Sequence, residues 1–347
     1  LISRADLEQA EERFRQIRGA ALPQLSLRLT EQIQDQAGGP GQGGVAGTFL
    51  QSSRPEARLR LTQAVFSGFR DLAVLAEARS QVRRREQEEA EARRVLAGDL
   101  AKAFYAALDR RENLASLDIL LALAADRAKD LKAREALGRS RPSEVLAMEL
   151  QLRNVEAERV QARQDAARAG EMLVFLLGEN PPSLEEGGQD PGVPEAAEPF
   201  LHDLDRRPDL RALAEERQAA LHALSGARRA RWPLVRAEGN YYFYRTGIQE
   251  DVAWDGLLTL DWPFFTGGTL RAQVGEARAG LDRAQAKLEE ASRRARMEIL
   301  EAWEDLKSSA ERLGIYALAL DTAGKNYRLQ TQDYRLGLST NLEVLEA

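Results

Sequence analysis

The chain has 347 residues, of which 30% are charged and only 6% are aromatic, a composition typical of long helices and coiled coils. Its net charge of −6 arises from intermixed acidic and basic residues, which argues against nucleic-acid binding. The absence of cysteine excludes disulfides, thiolate metal sites and a thiol nucleophile. No apolar run reaches the roughly 18 residues of a membrane-spanning helix.

Two strands are predicted after a short N-terminal helix, near residues 24–33 and 58–66. In the first strand Leu25, Leu27 and Leu29 alternate with polar residues, and in the second strand Leu59 and Leu61 do the same. An alternation with period two places apolar side chains on one face of a sheet and polar side chains on the other.

A very long helix is predicted next, because residues 68–137 contain no proline. Its second half carries apolar or small residues at intervals of three and four, and this pattern resumes after a break at residues 138–142 and continues to Leu176. Such a heptad pattern is that of two helices packed against each other. We therefore predict a coiled-coil hairpin over residues 68–177.

The second half of the chain repeats the first. After a linker over residues 178–205 that is rich in proline, glycine and acidic residues, strands are predicted near residues 234–244 and 254–263, and a long helix from residue 267. Adding 199 to a residue number between 59 and 148 aligns the two halves without a gap, so that Gly68 matches Gly267 and Gly138 matches Gly337. The sequence thus predicts a duplicated structure, with repeats at 1–177 and 206–347. Because Ala347 matches Met148, a returning helix of roughly thirty residues is expected beyond Ala347.

The four predicted strands leave two interpretations open. Their apolar face either packs on a soluble core, as in a sandwich, or faces lipid. A lipid-facing sheet must close into a barrel, and closure takes about eight strands at least. Several chains would therefore have to contribute, and three chains would supply about twelve strands. Aromatic residues that suit the interfacial girdle of such a barrel are Tyr241, Tyr242, Tyr244, Trp254 and Trp262.

Several motifs resemble those of the TolC-type outer membrane efflux protein family. They are LPQLSL in the first strand, FSGF and FFTGG before the long helices, and YRLGLSTNLEVLEA at the second tip, and the resemblance covers essentially the whole chain. It implies a mostly α fold with a small β part, in which long coiled-coil helical hairpins form an α-barrel and four β-strands contribute to a trimeric 12-stranded transmembrane β-barrel. It also implies a homotrimer in the bacterial outer membrane that extends into the periplasm. There it would bind a periplasmic adaptor protein and, through the adaptor, an inner-membrane pump.

The resemblance assigns the two hairpin tips to contact with the adaptor. The first tip departs from the family pattern, because it has two arginines where apolar and small residues are usual. We therefore expect contact at the first tip to be weaker or differently charged. The tip residues are Gly138, Arg139, Ser140 and Arg141 in the first repeat, and Gly337, Leu338, Ser339 and Thr340 in the second.

The resemblance also places Glu343 and Glu346 in an acidic ring around the periplasmic entrance, with glutamate where aspartate is common. Residues three apart share one face of a helix, so three chains would bring six carboxylates near one axis, where they would attract cations. The alternative is that both acids are solvated in the first turn of a helix, where the helix dipole favours them.

These observations predict an outer membrane channel, the passive exit duct of a tripartite efflux or type I secretion system. The alternative is a soluble periplasmic coiled-coil adaptor or scaffold protein whose strands form a small packed domain. An enzyme is not expected, because His202 and His222 lack metal-ligand spacing and no phosphate-binding or nucleophile motif is present. We expect no cofactor and no bound metal.

Overall fold

The computed structural model describes residues 2–33, 53–180, 192–246, 250–336, 338, 339 and 344. Long helices and one small sheet make up these residues, as predicted. Among them, none of the helices combines the length and the apolar character that crossing a membrane requires. In chain order the elements are α1 (Ile2–Ala20), β1 (Gln24–Ile33), β2 (Ser53–Phe66), α2 (Arg70–Ala136), α3 (Pro142–Leu177), α4 (Glu198–His202), a 3-10 turn (Leu204–Arg206), α5 (Pro208–Arg229), β3 (Leu234–Arg245), β4 (Trp254–Asp261) and α6 (Thr269–Leu336).

The four strands form one antiparallel sheet in the order β1-β2-β3-β4. Strand β2 begins at Ser53, earlier than the residue near 58 that the alternation predicted. Its central pairing with β3 joins the two halves of the chain, for example at Leu59 opposite Tyr241. The register of this pair shifts between Ala57 and Arg58, which leaves Phe243 as an extra residue on β3.

The chain divides into two compact units, one formed by residues 1–91 and 202–296 and the other by residues 92–201 and 297–347. Neither unit coincides with one of the predicted repeats. The reason in the first unit is the sheet, which takes two strands from each half of the chain. The repeat boundaries at 1–177 and 206–347 therefore describe the duplication and not the compact bodies.

Backbone geometry at matching positions of the two halves follows the same offset of 199. Each sheet-to-helix turn has a glycine with positive φ, Gly68 at 61° and Gly267 at 58°. The amide of Arg139 donates to the carbonyl of Arg134 at the end of α2, and the amide of Leu338 donates to the carbonyl of Asp333 at the end of α6, both over 2.8 Å. The duplication seen in the sequence is thus also present in the turns.

In the first unit, charged side chains bind α5 to α2 and α6. Glu216 on α5 accepts hydrogen bonds from Arg84 on α2 over 3.3 Å and from Lys287 on α6 over 3.0 Å. Burial by itself would raise the pKa of Glu216, but the two cations outweigh it and hold that pKa below its usual value. Arg83 and Glu215 add an ion pair between α2 and α5 at 2.8 Å.

In the second unit, α2 and α3 form the predicted antiparallel hairpin. One buried cluster near its tip contains Leu131 and Met148, each 1% exposed, and another further along contains Leu173 packed on small residues of α2. Small residues let the two helix axes approach closely. The ion pair between Lys132 and Glu149, at 2.6 Å, lies at the edge of the first cluster. On α6, the residues that repeat the apolar heptad pattern of α2 at the offset of 199 are exposed, namely Leu313, Tyr316 and Leu320.

Candidate functional site

One face of the sheet is apolar and exposed. Leu25, Leu27 and Leu29 of β1 and Leu258 and Leu260 of β4 all point to this face, and each is more than 60% exposed. Apolar surface of this extent is unusual for a monomer in water and marks a surface that contacts a partner or lipid.

Aromatic side chains mark the two ends of the apolar face. Tyr241 pairs with Trp254 across β3 and β4 at one end, and the rings of Tyr241 and Phe243 lie 5.3 Å apart in an edge-to-face arrangement. Tyr244 is exposed at the same end. Trp262 is exposed at the opposite end, directly after β4. Four of the five aromatic residues chosen from the sequence therefore lie at the ends of the exposed face.

The prediction is wrong for Tyr242, which lies on the other face of the sheet. Only 8% of Tyr242 is exposed, its hydroxyl donates a hydrogen bond to Asp255 over 2.6 Å, and the guanidinium of Arg245 lies 4.3 Å from its ring centre. Strand alternation separates it from Tyr241 next to it, so neighbouring aromatic residues could not all share one face.

Sequence reasoning missed other exposed aromatic residues around the end of the sheet at Trp262. They flank the strands, in the segments FSGF and FFTGG after β2 and β4 and in the turn before β3. This position at the strand ends is the signal that could have found them. These residues are Phe69, Trp232, Phe264 and Phe265.

The opposite face of the sheet is polar and carries a network of charged side chains. Arg60 on β2 donates to Glu238 on β3 over 2.5 Å. Asn240 on β3 donates to Asp255 on β4 over 2.8 Å. Further along β2, Glu56 lies 3.3 Å from Arg58. The two faces of the sheet therefore suit two different environments, one apolar and one aqueous.

The first hairpin tip is a tight turn between α2 and α3. Gly138 has φ 71°, a conformation that favours glycine, and Pro142 begins α3. The hydroxyl of Ser140 donates to the carboxylate of Glu144 over 2.7 Å. Arg139 and Arg141 are exposed on this turn. The tip thus presents two positive charges at the end of the hairpin.

At the second tip, Leu338 is exposed and the hydroxyl of Ser339 donates to the carbonyl of Gln330 over 3.3 Å. Gly337, Thr340, Glu343 and Glu346 lie outside the described residues. Next to this tip, the ring of Tyr334 on α6 has two guanidinium groups of α2 close to its centre, Arg127 at 4.4 Å and Arg134 at 4.8 Å. These cation–π contacts join α2 to α6.

Comparison with known proteins finds similarity to outer membrane efflux proteins. The family model described as outer membrane efflux protein matches residues 203–347. The chain is also 28% identical over 370 residues to the outer membrane protein OprJ of Pseudomonas aeruginosa, covering 99% of this chain and 73% of OprJ. Over residues 203–347 the chain thus matches the outer membrane efflux protein family, and over its whole length it is similar to OprJ. The resemblance to the TolC-type family inferred from the motifs is thereby confirmed.

Solved structures of outer membrane proteins have the same fold. The outer membrane protein VceC from Vibrio cholerae matches with a TM-score of 0.83 and 20% identity, over 99% of this chain and 84% of that one. The Campylobacter jejuni outer membrane channel CmeC matches with a TM-score of 0.85 and 15% identity, over 99% of this chain and 75% of that one. The predicted fold class, long helices with a four-stranded antiparallel sheet, is confirmed. These matches agree with the prediction of an outer membrane transport protein rather than an enzyme.

Proposed function

We propose that this protein is the outer membrane channel of a tripartite efflux or type I secretion system, a passive exit duct from the periplasm to the exterior. The observation that carries the proposal is the sheet, which has one exposed apolar face with aromatic residues at both ends and one charged face. An apolar band between aromatic girdles is the outer surface of a membrane barrel, and a polar face is its lumen.

The dimensions of the sheet suit a bilayer. Trp254 and Trp262 are eight residues apart in sequence, which at ~3.3 Å per residue gives roughly 26 Å before any tilt of the strand. An outer membrane barrel has an apolar band of about 25 Å. Tyr241, Tyr244 and Trp254 would then lie at one membrane interface and Trp262 at the other.

The edges of the sheet support a homotrimer. Within the part of the chain that the structure describes, β1 pairs only with β2 and β4 pairs only with β3. Unpaired strand edges cannot remain open in hydrocarbon, because their backbone groups would have no hydrogen-bond partners. Pairing of β4 in one chain with β1 in the next closes a barrel of about twelve strands from three chains. The long helices of the three chains would then form the periplasmic part of the duct.

The hairpin tips are the proposed contacts with the periplasmic adaptor. Arg139 and Arg141 are exposed at the end of the first hairpin, and Leu338 is exposed at the end of α6. The proposed contact residues also include Gly138, Ser140, Gly337, Ser339 and Thr340. The adaptor surface that contacts the first tip is expected to be acidic, because two arginines dominate that turn.

Glu343 and Glu346 are the proposed acidic ring at the periplasmic entrance. Their spacing of three residues in the sequence puts both carboxylates on one side of a helical turn. Three copies around one axis concentrate negative charge in a constriction, which attracts cations and repels anions.

Channel recordings test both the duct and the ring. The protein is extracted from outer membranes in detergent, its oligomer mass is measured, and its conductance is recorded in planar bilayers under a salt gradient. We expect a trimer that conducts, and a cation preference that falls in the Glu343→Gln/Glu346→Gln double variant. The matched control is Glu301→Gln/Glu304→Gln, which removes two acids of the same spacing further back on α6.

Oligomeric state and ion preference test separate parts of the proposal. A monomer that remains soluble without detergent would refute the duct and restore the adaptor or scaffold interpretation. A trimer that conducts with the same ion preference in both double variants would refute only the acidic ring.

A further inference from the structure

The polar face of the sheet has more arginines than carboxylates, so the carboxylates can pair with only some of the arginines. Glu238 and Asp255 accept hydrogen bonds from other residues of the sheet, and Glu56 lies within 4 Å of both Arg58 and Arg245. Within the described part of the strands, the arginines on this face are Arg28, Arg54, Arg58, Arg60, Arg236 and Arg245, and the carboxylates are Glu56, Glu238, Asp255 and Asp261.

Two of these arginines lie directly opposite each other. Arg28 of β1 is the register partner of Arg58 of β2. Side chains at such positions start about 5 Å apart, and like charges there are destabilising. Arg28 makes no hydrogen bond or ion pair with any residue that the structure describes. Arg58 has Glu56 at 3.3 Å, so the charge of this pair that the sheet leaves without a partner is that of Arg28.

Hydrogen-bond donors on the same strand point to a ligand. The Nε group of Arg60 is enclosed by the surrounding side chains and donates no hydrogen bond within the described residues, while that of Arg58 lies 3.3 Å from Glu56 without hydrogen-bond geometry. A buried guanidinium donor without an acceptor is unfavourable. An oxyanion would satisfy such donors, because a guanidinium matches two oxygen atoms of a carboxylate or phosphate.

A groove on this face has room for such a group. It has a volume of about 400 Å³ and begins beside Arg60, which is the register partner of Ser26. Arg28 and Arg58 are next to this groove and not in its lining, each two residues along its strand from Ser26 or Arg60. Ser26 and Thr62 line it with hydroxyl groups, and Arg236 lies at its other side, without a hydrogen-bond or ion-pair partner in the described part of the chain. The groove therefore combines positive charge with neutral donors.

From these observations we infer that the polar face of the sheet binds oxyanions, the carboxylate or phosphate groups of small organic molecules, at Arg28, Arg58 and Arg60. Where the face lines the lumen, as in the proposed function, this site favours anionic cargo in the barrel section of the duct. The lumen would then have two regions of opposite preference, with cations attracted at the periplasmic entrance and anions in the barrel.

Calorimetric titration with inorganic pyrophosphate tests the site without requiring conduction. The full protein purified in detergent is compared with Arg28→Gln/Arg58→Gln, at constant ionic strength. We expect saturable binding by the wild type that weakens at least about tenfold in this variant, because two charge-assisted donors are lost. Arg28→Lys/Arg58→Lys keeps the charge but loses the planar fork, and we expect an intermediate affinity.

The matched control is Arg13→Gln/Arg18→Gln, which removes the same charge from exposed positions on α1 and should leave binding unchanged. Absence of saturable binding, or equal loss in the control and the sheet variant, would overturn the inference. A protein that conducts in bilayers but fails this titration would leave the proposed function standing. A protein that does not conduct but binds pyrophosphate through Arg28 and Arg58 would support the oxyanion site and refute the proposed function.

Discussion

The turn between β2 and α2 allows a direct test of the packing in the first unit. Gly68 and Gly267 occupy equivalent positions of the two halves, and both have a positive φ near 60°. A Cβ added to Gly68 would lie 2.3 Å from the Cβ of Trp232, whereas a Cβ added to Gly267 would meet nothing within 4 Å. The pair thus separates backbone strain from a steric clash.

The expected magnitudes follow from these two terms. Replacing glycine by alanine at a positive φ destabilises the fold by about 1–2 kcal/mol, and this applies to both positions. The clash at Gly68 adds about 1–3 kcal/mol, because the Cβ of Trp232 is attached to the backbone and cannot rotate away. Gly267→Ala should therefore lower the free energy of unfolding by about 1–2 kcal/mol and Gly68→Ala by about 2–5 kcal/mol.

Denaturant unfolding of the detergent-purified variants, followed by tryptophan fluorescence, measures the difference. The protein concentration must be the same in each experiment, because the stability of an oligomer depends on it. Equal destabilisation by the two substitutions would show that Trp232 does not pack on Gly68, and the reasoning would be refuted. A further loss at Gly68 that disappears in Gly68→Ala/Trp232→Gly would support it.

Two further predictions concern the helices. Leu131→Ala, in the hairpin core, should lower the free energy of unfolding by about 2–5 kcal/mol in the same denaturant assay. The control Leu137→Ala, at an exposed position, should change it by less than about 0.5 kcal/mol. Similar losses at both positions would contradict the packing of α3 on α2. Glu216→Gln should lower stability near pH 7 by about 1 kcal/mol, because Arg84 and Lys287 lose an ionised partner. The pKa of Glu216 is lower in the folded protein than in the unfolded chain, so the wild type loses this extra stability as pH falls below about 4.3. If the difference in unfolding free energy between wild type and variant persisted unchanged at low pH, the ion pairs would be excluded as its cause.

Local periodicity made much of the fold predictable. The alternating leucines of β1 and the heptad residues around Leu131 and Met148 depend only on the spacing of side chains along a strand or a helix, and both elements occur where the pattern predicted them. The offset of 199 also predicted the second turn from the first, because duplicated sequence repeats the same local backbone preferences.

The candidate site was predictable only in part. Trp254 and Trp262 could be found from the sequence, because both are aromatic residues at the ends of one strand. The prediction is wrong for Tyr242 because an aromatic side chain does not by itself fix the face of a strand, whereas its even position places it with Glu238 and Asn240. Alternation alone would place Tyr244 with Tyr242, but a register shift between β2 and β3 pairs Tyr244 with Ala57 on the apolar side, and no local pattern reveals such a shift.

The sequence by itself determined the order of the strands and helices, the apolar and polar sides of each strand, and the duplication, because these follow from neighbours along the chain. Only the tertiary structure decided which residues face each other across the sheet. Arg60 reaches Glu238, and Arg28 lies opposite Arg58, through strand pairings whose register is set by long-range contacts. The charge pattern of the polar face, and with it the proposed preference for anions, exists only once those strands are paired.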